Sequence, residues 1–297
     1  MKNTVKIVAV VMALVFALGC LCACGANTAD NTDTTAAPAE KAPATRVIDI
    51  NLTEEEYAFG VDKAQPELLE EVNKIIAEIK ADGTFDDICN HYFGDGTPVA
   101  VKSGVVDAAK DQLVVATNAA FEPFEYTKGD DYFGIDMEIA ALIAEKLGKE
   151  LVISNMSFDA VCLSVGQHKA DIAMAGLTVK EERKEHVNFS DSYYIASQKL
   201  IVKGDDTSFD DCTAKEQVEA KLAALDPSIR IGVQTGTTGQ FYVEGDEGFG
   251  FAGLPAEAVP YANGSLAVQD LINGNVDFVI IDSAPADCIT ASINALA

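Results

Sequence analysis

One arrangement occurs twice in this chain and limits its fold more than any other feature. In FDAVCLSVGQHKADIAMAG, residues 158–176, and in LAVQDLINGNVDFVIID, residues 266–282, a helical stretch passes through a polar turn into an apolar strand opening Ala-Asp or Val-Asp. Two such units, with strands and helices alternating around them, predict two α/β lobes on one plan, each with a parallel sheet. A length of 297 residues accommodates both lobes. A ligand is then expected between them, where clefts form.

The remaining elements follow the same alternation. Leu68, Leu69, Val72, Ile75, Ile76 and Ile79 have the spacing of one buried helical face after Pro66, and Gly83 supplies the stop. A second short helix is expected through Ile88 and Tyr92, and GDGTPVAVKSG reads as a loop. DQLVVAT is a strand, followed by a loop holding Phe121, Pro123 and Phe124, a helix with Ile139, Leu142, Ile143 and Leu147 on its apolar face, and the strand LVIS. Past QKLIVKG the order resumes with a helix over Gln217 to Leu225, the strand IRIGVQ, a glycine-rich turn and a further helix.

The first residues read as an address. Lys2 and Lys6 precede IVAVVMALVFALG, long enough for the apolar region of a signal peptide and short for a membrane span. The run ends in LCAC, where a small residue before Cys resembles a bacterial lipoprotein signal. Cys24, with Leu21 three residues before it, is the expected lipidated residue, and Cys20 is the alternative. Residues 1–23 are then signal peptide, and residues 24–45, short and polar, form a disordered tether.

Charge narrows the partners. Forty-seven acidic against 21 basic side chains give a net charge of −26, which opposes binding to nucleic acid and to anionic lipid head groups. Of seven cysteines, Cys89, Cys162, Cys212 and Cys288 lie in the body without metal-ligand spacing, so buried free thiols are expected and neither a metal nor a cofactor is indicated.

Several residues could hold a ligand. IGVQTGTTG, residues 231–239, runs from a strand into Gly and Thr at a helix start, a place that suits an anion such as a carboxylate, with a plain tight turn as the rival reading; no Lys follows the glycines, which argues against a nucleotide phosphate. Arg183, in AGLTVKEER after Gly176 and Thr178, could grip a carboxylate with two parallel bonds, with a solvated surface charge as the rival reading. Asp282 ends the strand FVII, where a carboxylate could pair an ammonium group or cap the following helix. Phe121 and Phe158 each follow a strand and could either sandwich a side chain or simply pack.

Seven segments occur in an order and spacing that resemble the amino-acid-binding family of bacterial ABC-importer solute-binding proteins: TNAAFEPFEY, YFGIDMEIA, FDAV, KADIAMAGLTVKEER, VNFSDSYY, IGVQTGTTG and DFVIIDSAPA. The resemblance implies the two-lobed, type 2 periplasmic-binding-protein fold and capture of a polar amino acid without catalysis. It implies that Arg183 clamps the ligand α-carboxylate with Thr178, Thr237 and Thr238, and that Asp282 takes the α-ammonium. Gly176 would offer its backbone, Phe121 and Phe158 would flank the side chain, and Asn118, where binders of basic amino acids tend to have Asp, would help set specificity. The implied partner is an ABC permease, and the implied setting is the outer face of a bacterial membrane, with a monomeric protein held there by its lipid alone.

One departure concerns order. Family members place a segment like LTEEEYAFGVDK and two helices ending like ADGTFDDI..HYFG at the C-terminus, whereas here they occupy residues 46–96 and the chain stops at ASINALA. The sequence therefore reads as a circular permutation, with 46–51 a strand of lobe 2, 52–203 lobe 1 including the forward-moved helices of 52–96 and a connecting loop over 94–111, and 204–297 lobe 2. Two rival functions stay open. A receptor's ligand-sensing subunit would share the same lobe surface, and a cyclohexadienyl-dehydratase-like enzyme would need a positioned acid or base in the cleft, for which His91, His168 and His186 sit in surface-like contexts.

Overall fold

The structure is a computed structural model and describes residues 43–296. The signal peptide, Cys20, Cys24 and nearly all of the expected tether lie outside the described residues. Two five-stranded sheets form the two lobes. The first carries, in order, Val187–Phe189, Gly60–Asp62, Ile172–Ala173, Gln112–Thr117 and Glu150–Asn155. The second carries Thr45–Ile48, Gln198–Lys203, Phe278–Asp282, Arg230–Gln234 and Glu257–Tyr261.

Each sheet is mixed, which corrects the expectation of parallel sheets. Four strands in each share one direction, three from the repeated helix-to-strand arrangement and one at the edge, and a single strand runs against them: Gly60–Asp62 in the first sheet and Gln198–Lys203 in the second. The antiparallel strands share one origin: they belong to the segments 45–62 and 187–203, which cross between the lobes and enter each sheet from the other side. Midway, Glu55–Tyr57 pairs antiparallel with Tyr194–Ala196, so the two crossings form a ribbon linking the lobes. Gln198–Lys203, assigned to lobe 1 from sequence, pairs with Thr45–Ile48 and Phe278–Asp282 in the second sheet, because the crossing ends at Ala196.

The helices form where the periodicity places them. Pro66–Asp82 starts with Pro in its first turn, buries Val72, Ile75, Ile76 and Ile79, and ends at Gly83 with φ 86°, a left-handed conformation that glycine adopts without penalty. Each of those aliphatic side chains contributes about 1.5–3 kcal/mol by leaving water. Ile135–Leu147 is buried around more of its circumference than its sequence stripe suggested, since the helix Thr84–Phe93 also packs on it. Glu138 on that helix accepts from Tyr92 Oη at 2.5 Å and Val99 N at 3.2 Å and faces His91 Nδ1 at 2.9 Å, which ties the 46–96 segment into the first lobe.

Two further differences bear on the site. The region around Phe121 and Phe124, expected as a loop, is a three-stranded antiparallel sheet of Ala120–Phe121, Glu125–Lys128 and Asp131–Phe133. Of the four body cysteines, all free, only Cys162 is buried; the others are partly exposed.

Candidate functional site

The two repeated units deliver their strand ends to one place. In the first, Gly176 sits at φ +53° with its N–H donated to Asp136 Oδ2 at 3.0 Å. A Cβ here would meet the Phe121 ring at 3.0 Å and the Tyr57 ring at 3.2 Å, so glycine keeps the backbone open toward the interior. Two residues on, the Thr178 hydroxyl donates to Glu55 Oε2 at 2.7 Å, and the Thr178 carbonyl accepts from Arg183 Nη1 at 2.6 Å.

Arg183 is half-buried and reaches across to the second lobe, where Nη2 donates to the Gly236 carbonyl at 3.0 Å. Phe158 lies against its guanidinium, with the ring centroid 5.2 Å from Cζ. Both backbone bonds orient the fork without neutralising it: among the described residues, no carboxylate forms an ion pair with Arg183. Burial lowers the guanidinium's pKa, the direction desolvation imposes on a cation.

Asp282 ends the matching strand of the second lobe and is 4% exposed. Its carboxylate accepts from the Tyr57 hydroxyl, and among the described residues it has no cationic partner. Burial first, and then the nearby Glu55, push its pKa up to about 7. Glu55 itself accepts from Thr53 Oγ1 at 2.6 Å and Gln198 Nε2 at 3.0 Å. The site thus holds a half-buried cation on one lobe and a buried carboxylate on the other, neither in an ion pair among the described residues.

Other expected residues gather around this pair in differing ways. Thr238 donates its hydroxyl to Thr178 Oγ1 across the lobes at 3.2 Å, whereas the Thr237 hydroxyl turns back to the Gln234 carbonyl at 2.8 Å. Asn118 donates Nδ2 to the Met156 carbonyl at 2.7 Å and accepts from Gln234 Nε2 at 3.2 Å. Phe121 is buried against Phe124, with centroids 6.1 Å apart, and borders Gly176. Phe158 covers the Arg183 guanidinium.

Sequence reasoning missed four residues here: Gln234, Tyr57, Glu55 and Glu125. Gln234 had a signal, since it ends the strand before the glycine-rich turn just as Asp282 ends its own. Its Oε1 is buried without a partner, as is Oε1 of Gln198. Glu125 is fully buried with both carboxylate oxygens unpartnered, and burial, Asp136 and Asp282 hold its pKa well above the usual carboxylate range. Neither Arg183 nor Asp282 has a histidine among its hydrogen-bond partners; His91 and His168 face Glu138 and Asp62 instead. Among the described residues, no group of three or more His, Cys, Asp or Glu has a metal-binding arrangement.

A hollow of about 270 Å³ opens beside Arg183, bordered by Phe158, Lys180, Gly236 and Phe241. A larger one, about 1020 Å³, flanks the interlobe ribbon between Phe93 and Asp287 and is lined by neither Arg183 nor Asp282. Volume alone would favour the second, but the unpaired charges lie elsewhere.

Known proteins resemble the chain in sequence and in structure. The model for bacterial extracellular solute-binding proteins, family 3, matches residues 113–273. An arginine-binding periplasmic protein of Mannheimia haemolytica is 30% identical over 181 residues, 60% of this chain and 66% of that protein. The first curated relatives are matched over 39% and 66% of their own lengths. Among solved structures, holo ArgBP from T. maritima aligns with a TM-score of 0.51 at 33% identity, covering 61% of this chain and 74% of that one. An ancestral amino acid-binding protein, described as a precursor of cyclohexadienyl dehydratase, aligns with a TM-score of 0.52 at 28% identity, covering 60% and 73%.

Proposed function

Since the chain belongs to the bacterial extracellular solute-binding proteins of family 3, we propose that it captures one polar α-amino acid between its lobes and presents it to an ABC permease. The observation that carries this reading is the pair Arg183 and Asp282: opposite charges, on opposite lobes, neither with an ionic partner among the described residues. A zwitterion supplies both missing counter-ions at once. Its carboxylate would meet the guanidinium fork with the Thr178 and Thr238 hydroxyls beside it, and its ammonium would meet Asp282.

The side chain of the ligand would extend toward Asn118 and Gln234, which present amide donors and acceptors from both lobes. That pairing favours a polar side chain over an aliphatic one. An Asn in place of a carboxylate at 118 removes one charge that would hold lysine or arginine, so the similarity to arginine binders does not decide the ligand.

The forward position of residues 46–96 is proposed to be a circular permutation. The family match begins at residue 113 although residues 43–112 fold with the rest, and Asn294 near the chain end accepts from Ala44 N at 2.9 Å and Thr45 N at 3.1 Å. The two ends of the folded body therefore lie side by side, as a rejoined family order requires. The extracytoplasmic setting agrees with relatives named as extracellular or periplasmic, and anchoring through lipid on Cys24 is proposed from the LCAC signal.

Calorimetric titration with the free amino acids tests the function. Saturable one-to-one binding of one or a few polar members supports it. No binding by any of them, with turnover of a cyclic acid instead, would replace it with the dehydratase-like reading.

A further inference from the structure

Lys180 lies between Thr178 and Arg183 in a stretch, TVKEER, whose charges read as a solvated turn. The structure buries it: its side chain is 4% exposed. Its ammonium lies 3.7 Å from the ring centroid of Phe241 and 5.6 Å from that of Phe249, and pairs with Asp246 at 2.7 Å and Glu182 at 2.8 Å. Phe241, Asp246 and Phe249 all belong to the second lobe, whereas Lys180 belongs to the first.

The receiving side is shaped by its own contacts. The Asp246 carboxylate accepts from Phe249 N at 2.9 Å, and Asp246 and Phe251 exchange backbone bonds at 2.9 and 2.8 Å. The turn between them uses Gly250 at φ +71°. Phe241 and Phe249 lie 6.2 Å apart, so their faces and one carboxylate make a box for a cation.

We infer that Lys180 is a latch that holds the lobes shut: a positioning residue of the first lobe that docks into the Phe241–Asp246–Phe249 box of the second without touching the ligand. The inference rests on the binding function proposed above for its purpose, though not for its geometry. Thr178, Lys180 and Arg183 share one short turn, so the movement that brings Arg183 to Gly236 also seats Lys180. A desolvated cation over an aromatic face and beside a carboxylate favours the closed arrangement, and any interaction made only when closed raises ligand affinity by population shift. The latch is expected to multiply the closed-to-open ratio about tenfold or more.

Small-angle X-ray scattering of the folded chain without added ligand tests this directly. Lys180→Met keeps the stem and removes the charge, and it should give a larger radius of gyration than wild type. Lys180→Arg, which keeps a cation over the rings, should stay near wild type. Asp246→Asn and Phe241→Leu remove the box instead and serve if Lys180→Met fails to fold. Wild-type radii for both Lys180→Met and Asp246→Asn, even with lowered thermal midpoints, would reduce Lys180 to a packing residue and overturn the inference. The scattering needs no ligand, so failure of the amino-acid panel on the wild-type protein would count against the function and leave the latch result standing.

Discussion

The phenol of Tyr57 donates a hydrogen bond to the Asp282 carboxylate across 225 positions of sequence. That bond brings the 46–96 segment into the candidate site and supports the charge on the group proposed to hold the ligand ammonium. Tyr57→Phe removes the donor and makes Asp282 harder to ionise. Ligand affinity should fall about tenfold at pH 7, the size expected for a hydrogen bond to a charged group. The loss should shrink near pH 9, where Asp282 ionises without help. An equal loss at both pH values would show that the phenol acts by packing.

Asp282 and Asp136 both have folded-state pKa values raised to about 7, chiefly by burial, against an ordinary value of 3.8. Between those limits the folded state holds protons that the unfolded state has released, so stability falls as pH rises through about 7 and is greater near pH 5. Binding of an ammonium needs ionised Asp282 and should run the other way, weakening by up to about tenfold per pH unit below 7. Thermal unfolding without ligand and titration with it, both from pH 5.5 to 8, should therefore move in opposite directions. Parallel trends would contradict the assignment of Asp282.

The double-lobed plan and the main helix faces were legible because they are local patterns: 158–176 and 266–282 carry their periodicity within one unit. The contributions of Tyr57, Glu55 and Gln198 were not, since nothing in the periodicity of a crossing strand says which side chains it brings past a distant strand end. Nothing local singles out Lys180, whose neighbours are Glu181 and Glu182, because the aromatic box that buries it is supplied some sixty residues later. The parallel-sheet expectation failed for a similar reason: antiparallel entry is a property of the crossing, not of either repeated unit. Arg183 and Asp282 were each ambiguous alone; what distinguishes them is that neither has a counter-ion among the described residues.

A rearranged chain in which residues 45–96 follow residue 296 tests the permutation. It should unfold cooperatively and bind with an affinity within about threefold of the original order, because the Asn294 contacts to Ala44 and Thr45 already place the ends together. A fragment of residues 43–96 should show no cooperative transition alone, being too short to bury enough surface. An independently folded fragment beside a binding-competent remainder would refute the shared fold.

Lipid anchoring is read by fractionation of cells. Cys24→Ser should shift the protein from membranes to the soluble fraction, whereas Cys20→Ser should not. The reverse outcome moves the anchor to Cys20.

The central claim is that Arg183 and Asp282 hold the two ends of one zwitterion, and calorimetry on two variants with two ligands tests it most directly. Removing one partner of a desolvated pair costs about 3–5 kcal/mol, or roughly two to four decades of affinity. Arg183→Lys keeps the charge but loses the fork, so it should weaken both the free amino acid and its deaminated analogue. Asp282→Asn should weaken the free amino acid severely and the deaminated analogue little. Near wild-type affinity for the free amino acid in either variant would contradict the account.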